Sequence, residues 1–281
     1  MIAWIIEPDV FSDNDSRLAE AAISQGHEVI YWKDQWARDG VYPVPKNKFV
    51  VFHGSLGNAA QITAITYWKP GAYCSTEKFY CSTWYAECKD WLLNKTWVCT
   101  TVTELVRDPE SIFKKIGADN SVFVRPDSPL KPFSGRVIHK DKVSLKALDF
   151  GFYYSDENLP IVVAPVRNIT REWRFIVIKR QVTAGSEYVA DGRSEAGSLA
   201  SGKEWDLAQS IATHITPPDD AYVLDLCEAE GAVNLLEINP FSGADLYECD
   251  RNAVVASMAR LASKKSRCTS KENQDSTGIS A

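Results

Sequence analysis

The sequence lacks a long hydrophobic run: no stretch approaches the roughly 20 apolar residues that a transmembrane helix needs. Its first residues, MIAWIIEPD, form an apolar run too short for the core of a secretory signal, with no basic residue before it. An excess of positive charge is also missing, since the 281 residues carry a formal net charge of −6. Sequence-independent binding to nucleic acid is therefore disfavoured. We expect a cytoplasmic protein with no membrane and no nucleic-acid partner.

Close cysteine pairs and histidine clusters are absent as well. The seven cysteines include no CxxC pair, and Cys74, Cys81 and Cys88 recur only every seven residues. A zinc site has tighter spacing, so we interpret these thiols as reduced and packed in the interior. The four histidines are scattered, and no Ser-His-Asp or Cys-His arrangement is evident. The chemistry is expected not to depend on a side-chain nucleophile.

The amino-terminal segment alternates strand and helix signals. Apolar runs at Met1–Ile6, His27–Trp32 and Phe49–Phe52, with a helical pattern at Arg17–Gln25, predict a parallel βαβ unit. His53-Gly54-Ser55 follows the third strand, where ligands often bind in such sheets. His53 lines an acceptor pocket or merely caps a turn; the sequence leaves both open.

Two apolar strands near the carboxyl end carry the clearest functional signal. Ala221–Cys227 and Val233–Asn239 flank Ala229-Glu230-Gly231, which we interpret as a three-residue hairpin loop with glycine in the left-handed position. This register places Asp225 opposite Leu235. Side chains alternate between the two faces along a strand. The predicted polar face therefore carries Asp225, Leu235, Glu237 and Asn239. The predicted core face carries Leu224, Leu226, Leu236 and Ile238.

Two carboxylates and an amide on one face predict a magnesium site. Diagonal neighbours in a sheet lie roughly 7–8 Å apart, so Asp225 and Glu237 could share a cation. Oxygen ligands beside substrate phosphates suit Mg²⁺. The alternative is the solvated face of an antiparallel sheet, although strands are poor in Asp and Asn. A four-residue turn would place the two carboxylates on opposite faces and remove the site.

A basic loop lies upstream, in FVRPDSPLKPFSGR. Arg125 ends a predicted strand, and Lys131, Ser134 and Gly135 follow in the loop before the next strand. Arginine contacts phosphate in a bidentate way and lysine contributes a point charge, while Gly135 permits close backbone approach. Basic loops are common, so an ordinary solvated loop remains the alternative for this segment on its own.

A third segment, IVVAPVRNITREWRFIVI, begins with a strand too apolar for a surface position. Pro165 removes one ladder donor at the end of that strand, so the backbone there can face an adenine edge. In the next strand Glu172 and Arg174 share a face, opposite Trp173. The alternative for Glu172 and Arg174 is a surface ion pair of little energetic value.

Taken in order, these elements resemble the ATP-grasp superfamily over roughly residues 1–262. The matching elements are RP…KPFSG, an apolar hinge strand, ExR, and D…EINP before a terminal helix. More narrowly, the sequence resembles the R-to-K clade, in which an arginine replaces the first phosphate-binding lysine. Arg125 fits this pattern, and the HGS turn also looks like that clade.

The resemblance implies an ATP-grasp fold of mixed α/β and α+β class, with ATP and Mg²⁺ as cofactors. A Rossmann-like pre-ATP-grasp domain is expected at residues 1–66, two lobes at 67–166 and 167–262, and a disordered tail at 263–281. The implied metal ligands are Asp225, Glu237 and Asn239, and the implied catalytic residues are Arg174 and Lys131. The implied nucleotide contacts are Arg125, Lys131, Ser134, Gly135, Ala164, Pro165, Val166 and Glu172.

The implied reaction is ligation. ATP phosphorylates the carboxylate of a small molecule or peptide, and an amine or a thiol then attacks the acyl-phosphate. A kinase acting on a hydroxyl and a non-catalytic nucleotide-binding module remain the alternatives. Arg171 and Arg193 are either further anion contacts or simple surface charges. The sequence specifies neither the substrates nor the oligomeric state.

Overall fold

The computed structural model describes residues 1–11, 14–44, 48–65, 67–148, 158–188 and 197–262. The predicted tail at 263–281 and Arg193 lie outside these ranges. Within the ranges, no helix combines the length and the apolar composition needed to cross a bilayer. The described chain contains three β-sheets with helices packed against them.

The amino-terminal sheet consists of four parallel strands in the order β2-β1-β3-β4, which confirms the predicted βαβ unit. All five residues of its central strand β1 are buried, as expected for a parallel sheet covered on both faces. The bounds of its strands and helices are β1 Ile2–Ile6, α1 Asn14–Ser24, β2 Glu28–Tyr31, α2 Asp34–Asp39, β3 Phe49–His53, α3 Leu56–Thr63 and β4 Lys69–Gly71. The Rossmann-like identity and the boundary at residue 66 stay predictions, although this sheet continues through Gly71.

The second sheet is antiparallel, in the order β5-β8-β6-β7. A helix on its core side, α6, begins at Pro109, with the Asp108 side chain accepting a hydrogen bond from the Ser111 N–H, and ends at left-handed Gly117. The bounds in this region are α4 Cys81–Trp84, β5 Val98–Thr101, α5 Val102–Arg107, α6 Pro109–Ile116, β6 Ser121–Pro126, β7 Arg136–His139, α7 Leu145–Leu148 and β8 Pro160–Pro165.

The third sheet is also antiparallel, in the order β11-β10-β9-β12-β13. One of its faces, which includes Trp173 and Phe175, packs against the helix α8. The other face packs partly against the amino-terminal sheet, through Ile176 and Val223, and is polar beyond that contact. The bounds are β9 Ile169–Ile178, β10 Gln181–Tyr188, β11 Gly197–Leu199, α8 Lys203–His214, β12 Ala221–Ala229, β13 Ala232–Pro240 and a last helix, α9, at 251–262.

The turn between β12 and β13 differs from the prediction. Ala229 pairs with Ala232, so the loop contains only Glu230 and Gly231, with φ angles of 54° and 76°. Two successive left-handed residues are typical of a tight two-residue hairpin turn. The predicted three-residue loop is therefore wrong.

A β-bulge offsets this difference further along the hairpin. Leu226 pairs with Leu235, but Asp225 pairs with Glu237, so Leu236 is an extra residue in β13. A shift of one residue reverses the face of every side chain beyond it. Asp225 and Glu237 consequently lie directly opposite each other on one face, rather than diagonally as predicted.

The bulge also corrects two predicted faces. Leu235, predicted on the polar face, lies in the core with Leu226. Leu236, predicted in the core, is half-buried and lines a cavity on the polar side. Both predictions failed because hydrophobic side chains occupy two successive positions, and the sequence pattern does not show which of them is the extra residue.

Candidate active site

A row of largely buried polar side chains crosses the third sheet beyond its contact with the amino-terminal sheet. Glu237, Asp225, Arg174 and Ser186 are cross-strand partners on β13, β12, β9 and β10. Paired residues in a sheet share a face, so these four side chains lie on the same side. Three of the four strands continue into the apolar contact with the amino-terminal sheet, which holds this row rigidly in place.

Arg174 and Asp225 form a buried bidentate ion pair. The Arg174 Nε and Nη2 atoms donate to the two Asp225 oxygens at 2.8 and 2.7 Å, and Nη1 donates to the Asp245 carbonyl at 2.9 Å. The Asp225 side chain is only 1% exposed. Burial acts to lower the pKa of Arg174, but the attraction of Asp225 outweighs it and raises the pKa well above its ordinary value.

Two cationic side chains of the second sheet and its loop contact the carboxylate of Glu237. Arg125 Nη2 at the end of β6 donates to Glu237 Oε1, and Lys131 Nζ in the following loop lies 3.1 Å from both carboxylate oxygens. Burial acts to raise the pKa of Glu237, but Arg125 and Lys131 outweigh it and hold the pKa well below its ordinary value. The second and third sheets are thus joined electrostatically at one point.

Asn239 lies between the two carboxylates. Its Nδ2 donates to Asp225 Oδ2 at 3.1 Å, and its side chain also hydrogen-bonds to Glu237. The structure therefore brings the three predicted metal ligands together. All three come from one hairpin, with Asp225 and Asn239 almost fully buried and Glu237 facing the second sheet.

Between the second and third sheets lies a cavity of about 470 Å³. It collects every nucleotide contact that the sequence indicated, together with one of the predicted metal ligands. These residues are Arg125, Lys131, Ser134, Gly135, Ala164, Pro165, Val166, Glu172 and Glu237. Arg174, Asp225 and Asn239 are not part of its lining and lie behind Glu237 on the sheet.

Sequence reasoning missed the apolar wall of this cavity. The wall includes Tyr85, Leu92, Phe123, Phe133, Val162 and the bulge residue Leu236. Phe123 precedes Arg125 by two positions in β6, so the alternation of side chains could have placed it on the cavity face. Tyr85 and Leu92 carry no comparable signal because their approach depends on the fold of the chain before β5.

Gly135 lies directly against this wall. A Cβ atom at this position would lie 2.6 Å from Cζ of Phe123, which is closer than real contacts allow. The absence of a side chain therefore lets the loop between β6 and β7 approach the ring of Phe123 closely.

Glu172 occupies the next row of the same sheet face. It pairs with Cys227 on one side and Tyr188 on the other, and its side chain hydrogen-bonds to Tyr188. Burial raises the pKa of Glu172, and the nearby carboxylates of Asp225 and Glu237 add to this effect. Tyr188 in turn stacks on Tyr247, whose ring centroid lies 4.9 Å from the Arg174 guanidinium carbon.

The sequence left the roles of His53 and Arg171 open, and neither residue lines the cavity. His53 is 1% exposed, its Nε2 lies 3.0 Å from the Ala244 carbonyl, and it does not line the cavity. Arg171 is exposed and donates to Glu187 at 2.6 Å, in the manner of a surface ion pair.

The donor set fits magnesium better than a softer metal. Within the described ranges, no group of three or more His, Cys, Asp or Glu side chains is placed to bind a metal ion. Two carboxylates and one amide remain, and all of their donor atoms toward a cation are oxygens. Mg²⁺ is typically held by one or two carboxylates together with substrate phosphates, so this incomplete set beside a cationic cavity suits it.

Comparison with protein families identifies the family to which the chain belongs. Residues 104–257 match the model of family 2 of the ATP-grasp domains of the R-to-K clade, and the match covers more than half of the chain. The chain belongs to this family. The matched region of this ATP-grasp protein contains Arg125, Lys131 and the whole β12–β13 hairpin. Comparison with curated proteins finds no significant match.

Solved structures share the ATP-grasp fold at low sequence identity. D-cycloserine synthetase DcsG is 13% identical, with 94% of this chain and 99% of that chain covered and a TM-score of 0.61. The ATP-grasp ligase PsnB, complexed with minimal precursor, Mg and ADP, is 12% identical, with coverage of 93% and 97% and a TM-score of 0.57. The D-alanine–D-alanine ligase from Bacillus anthracis, complexed with ATP, is 11% identical, with coverage of 94% and 100% and a TM-score of 0.56.

Proposed function

We propose that this ATP-grasp protein is an ATP-dependent ligase that joins a carboxylate to an amine or a thiol through an acyl-phosphate. One observation carries the proposal: Arg125 and Lys131 of the second sheet meet Glu237 of the third at the polar end of an apolar-walled cavity. Cations for phosphates, carboxylates for a metal and apolar walls for a base are thus combined in one place.

In this proposal, Mg-ATP lies in the cavity between two lobes at 67–166 and 167–262, with 1–66 as the pre-ATP-grasp domain. Arg125 and Lys131 bind the phosphates, and Ser134 and Gly135 cover them. The backbone of Ala164, Pro165 and Val166 faces the adenine edge, and Glu172 is a further nucleotide contact. The apolar wall formed by residues such as Phe123 and Leu236 contacts the base.

The magnesium ions would be held by Asp225, Glu237 and Asn239. When bound, they would neutralise the negative charge of the phosphates during transfer. This role agrees with the oxygen donors of the three side chains and with the ATP- or Mg- and ADP-bound states of the structural neighbours. Asp225 is oriented by Arg174, which binds both of its oxygens.

The chain's own residues act mainly by positioning and by charge. A substrate carboxylate oxygen attacks the terminal phosphorus of ATP, and the bond to the leaving ADP oxygen breaks. The amine or thiol then attacks the acyl carbon and releases inorganic phosphate. Lys131 and Arg174 are the proposed catalytic residues, stabilising negative charge on the transferred phosphoryl group, which is the main demand of such a step.

We further propose that the acid is a small molecule or a peptide. Support comes from the neighbours, since PsnB is described with a precursor peptide and another ligase with a leader and core peptide.

The decisive experiment is ADP release in the presence of Mg-ATP and a panel of acids and peptides, with and without amine or thiol acceptors. The ligase proposal predicts ADP release that requires both an acid and an acceptor. A stable phosphorylated product formed without a second acceptor would instead identify a kinase. Tight Mg-ATP binding with no ADP release from any member of the panel would favour a non-catalytic module.

A further inference from the structure

The two cations proposed for the phosphates already have an anionic partner. Arg125 and Lys131 both contact the carboxylate of Glu237, although they approach it from the strand and from the loop of a different sheet. We propose that Glu237 makes the site select metal-bound over metal-free nucleotide. Its carboxylate pairs with the two phosphate-binding cations, Arg125 and Lys131, until a divalent cation binds to Glu237. This inference rests on the proposed Mg-ATP site and adds a specificity role for Glu237.

The contact between Arg125 and Glu237 is well shielded from solvent. Their side chains are only 12% and 15% exposed, whereas the Lys131 side chain is 40% exposed, with its Nζ 3.1 Å from both Glu237 oxygens. If a phosphate binds Arg125 or Lys131 in place of Glu237, the largely buried Glu237 carboxylate loses part of the positive charge that compensates its own, which is unfavourable. A metal-free nucleotide also places its negative phosphates beside that carboxylate. Both effects oppose the binding of free ATP.

A divalent cation removes both penalties together. A divalent cation on the Glu237 carboxylate compensates its negative charge in place of Arg125 and Lys131. These two side chains then become available to phosphate oxygens. Nucleotide and metal should therefore bind with positive coupling, and this coupling must be the same in both directions. Glu237 would act as an internal stand-in for phosphate in the empty site.

The other carboxylates nearby cannot play this part. Asp225 is held by Arg174 through both oxygens, so it does not neutralise the cations of the second sheet. Glu172 lines the same cavity, but its side chain hydrogen-bonds to Tyr188. Glu187 is a matched control outside the site: its carboxylate is also paired with an arginine, Arg171, but it neither lines the cavity nor contacts Arg125 or Lys131.

The test compares ATP affinity by calorimetry in excess EDTA and in saturating Mg²⁺ for the wild type, Glu237→Gln and Glu187→Gln. We expect Glu237→Gln to bind metal-free ATP at least about tenfold more tightly than the wild type, and to lose most of the gain from magnesium. Glu187→Gln should keep the wild-type preference for Mg-ATP. Thermal unfolding of each variant checks that it is folded.

The possible outcomes separate the two proposals. A wild type that does not bind Mg-ATP overturns the proposed function and this inference with it. A wild type that binds Mg-ATP, with no gain in metal-free affinity in Glu237→Gln or an equal gain in Glu187→Gln, overturns this inference alone. If Glu237→Gln does not fold, Glu237→Asp serves instead, since its shorter side chain withdraws the carboxylate from both cations. An unchanged metal-free affinity in that variant overturns the inference as well.

Discussion

Asp225 and Glu237 lie directly opposite each other because the strand between the hairpin turn and Glu237 contains one extra residue, Leu236. A regular ladder from the two-residue turn would have paired Asp225 with Leu236 and sent Glu237 to the opposite face. The bulge therefore brings the two carboxylates together. Leu235 and Leu236 both line the cavity, but Leu235 is fully buried whereas Leu236 is half-buried.

The bulge predicts opposite effects for two neighbouring leucines. Leu235→Ala removes a fully buried core side chain and should lower the free energy of unfolding by about 2–5 kcal/mol. Leu236→Ala should change it by less than about 1 kcal/mol but weaken Mg-ATP binding about tenfold, because it removes apolar contact with the base. Denaturant unfolding and calorimetry measure the two quantities, and a reversal of the two phenotypes would contradict the bulge.

Replacement of Asp225 by Asn should impair both binding and stability. The variant loses a charged oxygen ligand, and Arg174 is left buried without its counter-charge. We expect no measurable Mg-dependent ATP binding and a loss of about 3–5 kcal/mol in the free energy of unfolding. Glu228→Gln is the matched control, because Glu228 is in the same strand but on the other face, beside Thr170. Mg-dependent binding retained by Asp225→Asn would refute the metal assignment.

A methyl group at Gly135 should narrow the cavity. The new Cβ of Gly135→Ala would lie 2.6 Å from the ring of Phe123, so the loop or the ring must move. We expect ATP affinity to fall, and Phe123→Leu to relieve the effect in the double variant relative to Phe123→Leu alone. Gly197→Ala is the control, since a Cβ there meets no atom within 4 Å. Equal affinities for the wild type and Gly135→Ala would contradict the close approach.

The buried histidine of the amino-terminal sheet should make stability depend on pH. Burial lowers the pKa of His53 from 6.5 to about 4, so the unfolded chain binds a proton that the folded protein does not. The contribution of neutral His53 to the free energy of unfolding is complete above pH 6.5 and is lost as the pH falls toward 4. At pH 5 the loss should reach about 2 kcal/mol.

His53→Gln is the matched variant for this measurement. Its amide nitrogen can still donate to the Ala244 carbonyl, as the histidine Nε2 does, but it does not titrate. Chemical unfolding at pH 8 and at pH 5 should show a smaller decrease in stability for His53→Gln than for the wild type. Equal decreases in the two proteins would show that His53 is not the responsible group.

The sequence alone predicted most of the local structure near the site. The apolar and polar alternation of β6 and β9 placed Arg125, Glu172 and Arg174 on strands, and the polar composition of the segment between β6 and β7 placed Lys131 in a loop. These predictions succeeded because strand periodicity and loop composition are local properties that need no partner. The ATP-grasp resemblance followed from the same residues and is confirmed by the family match.

What the sequence by itself determined was thus which residues are polar, which are apolar, and which strands carry them. The tertiary structure decided which of these residues meet. Arg125 reaches Glu237 across 112 residues of chain, and Arg174 reaches Asp225 across 51. A one-residue bulge decides which of two leucines enters the core. The physical reason is that register and ion pairing depend on packing between distant segments, where a shift of a single residue exchanges the two faces of a strand.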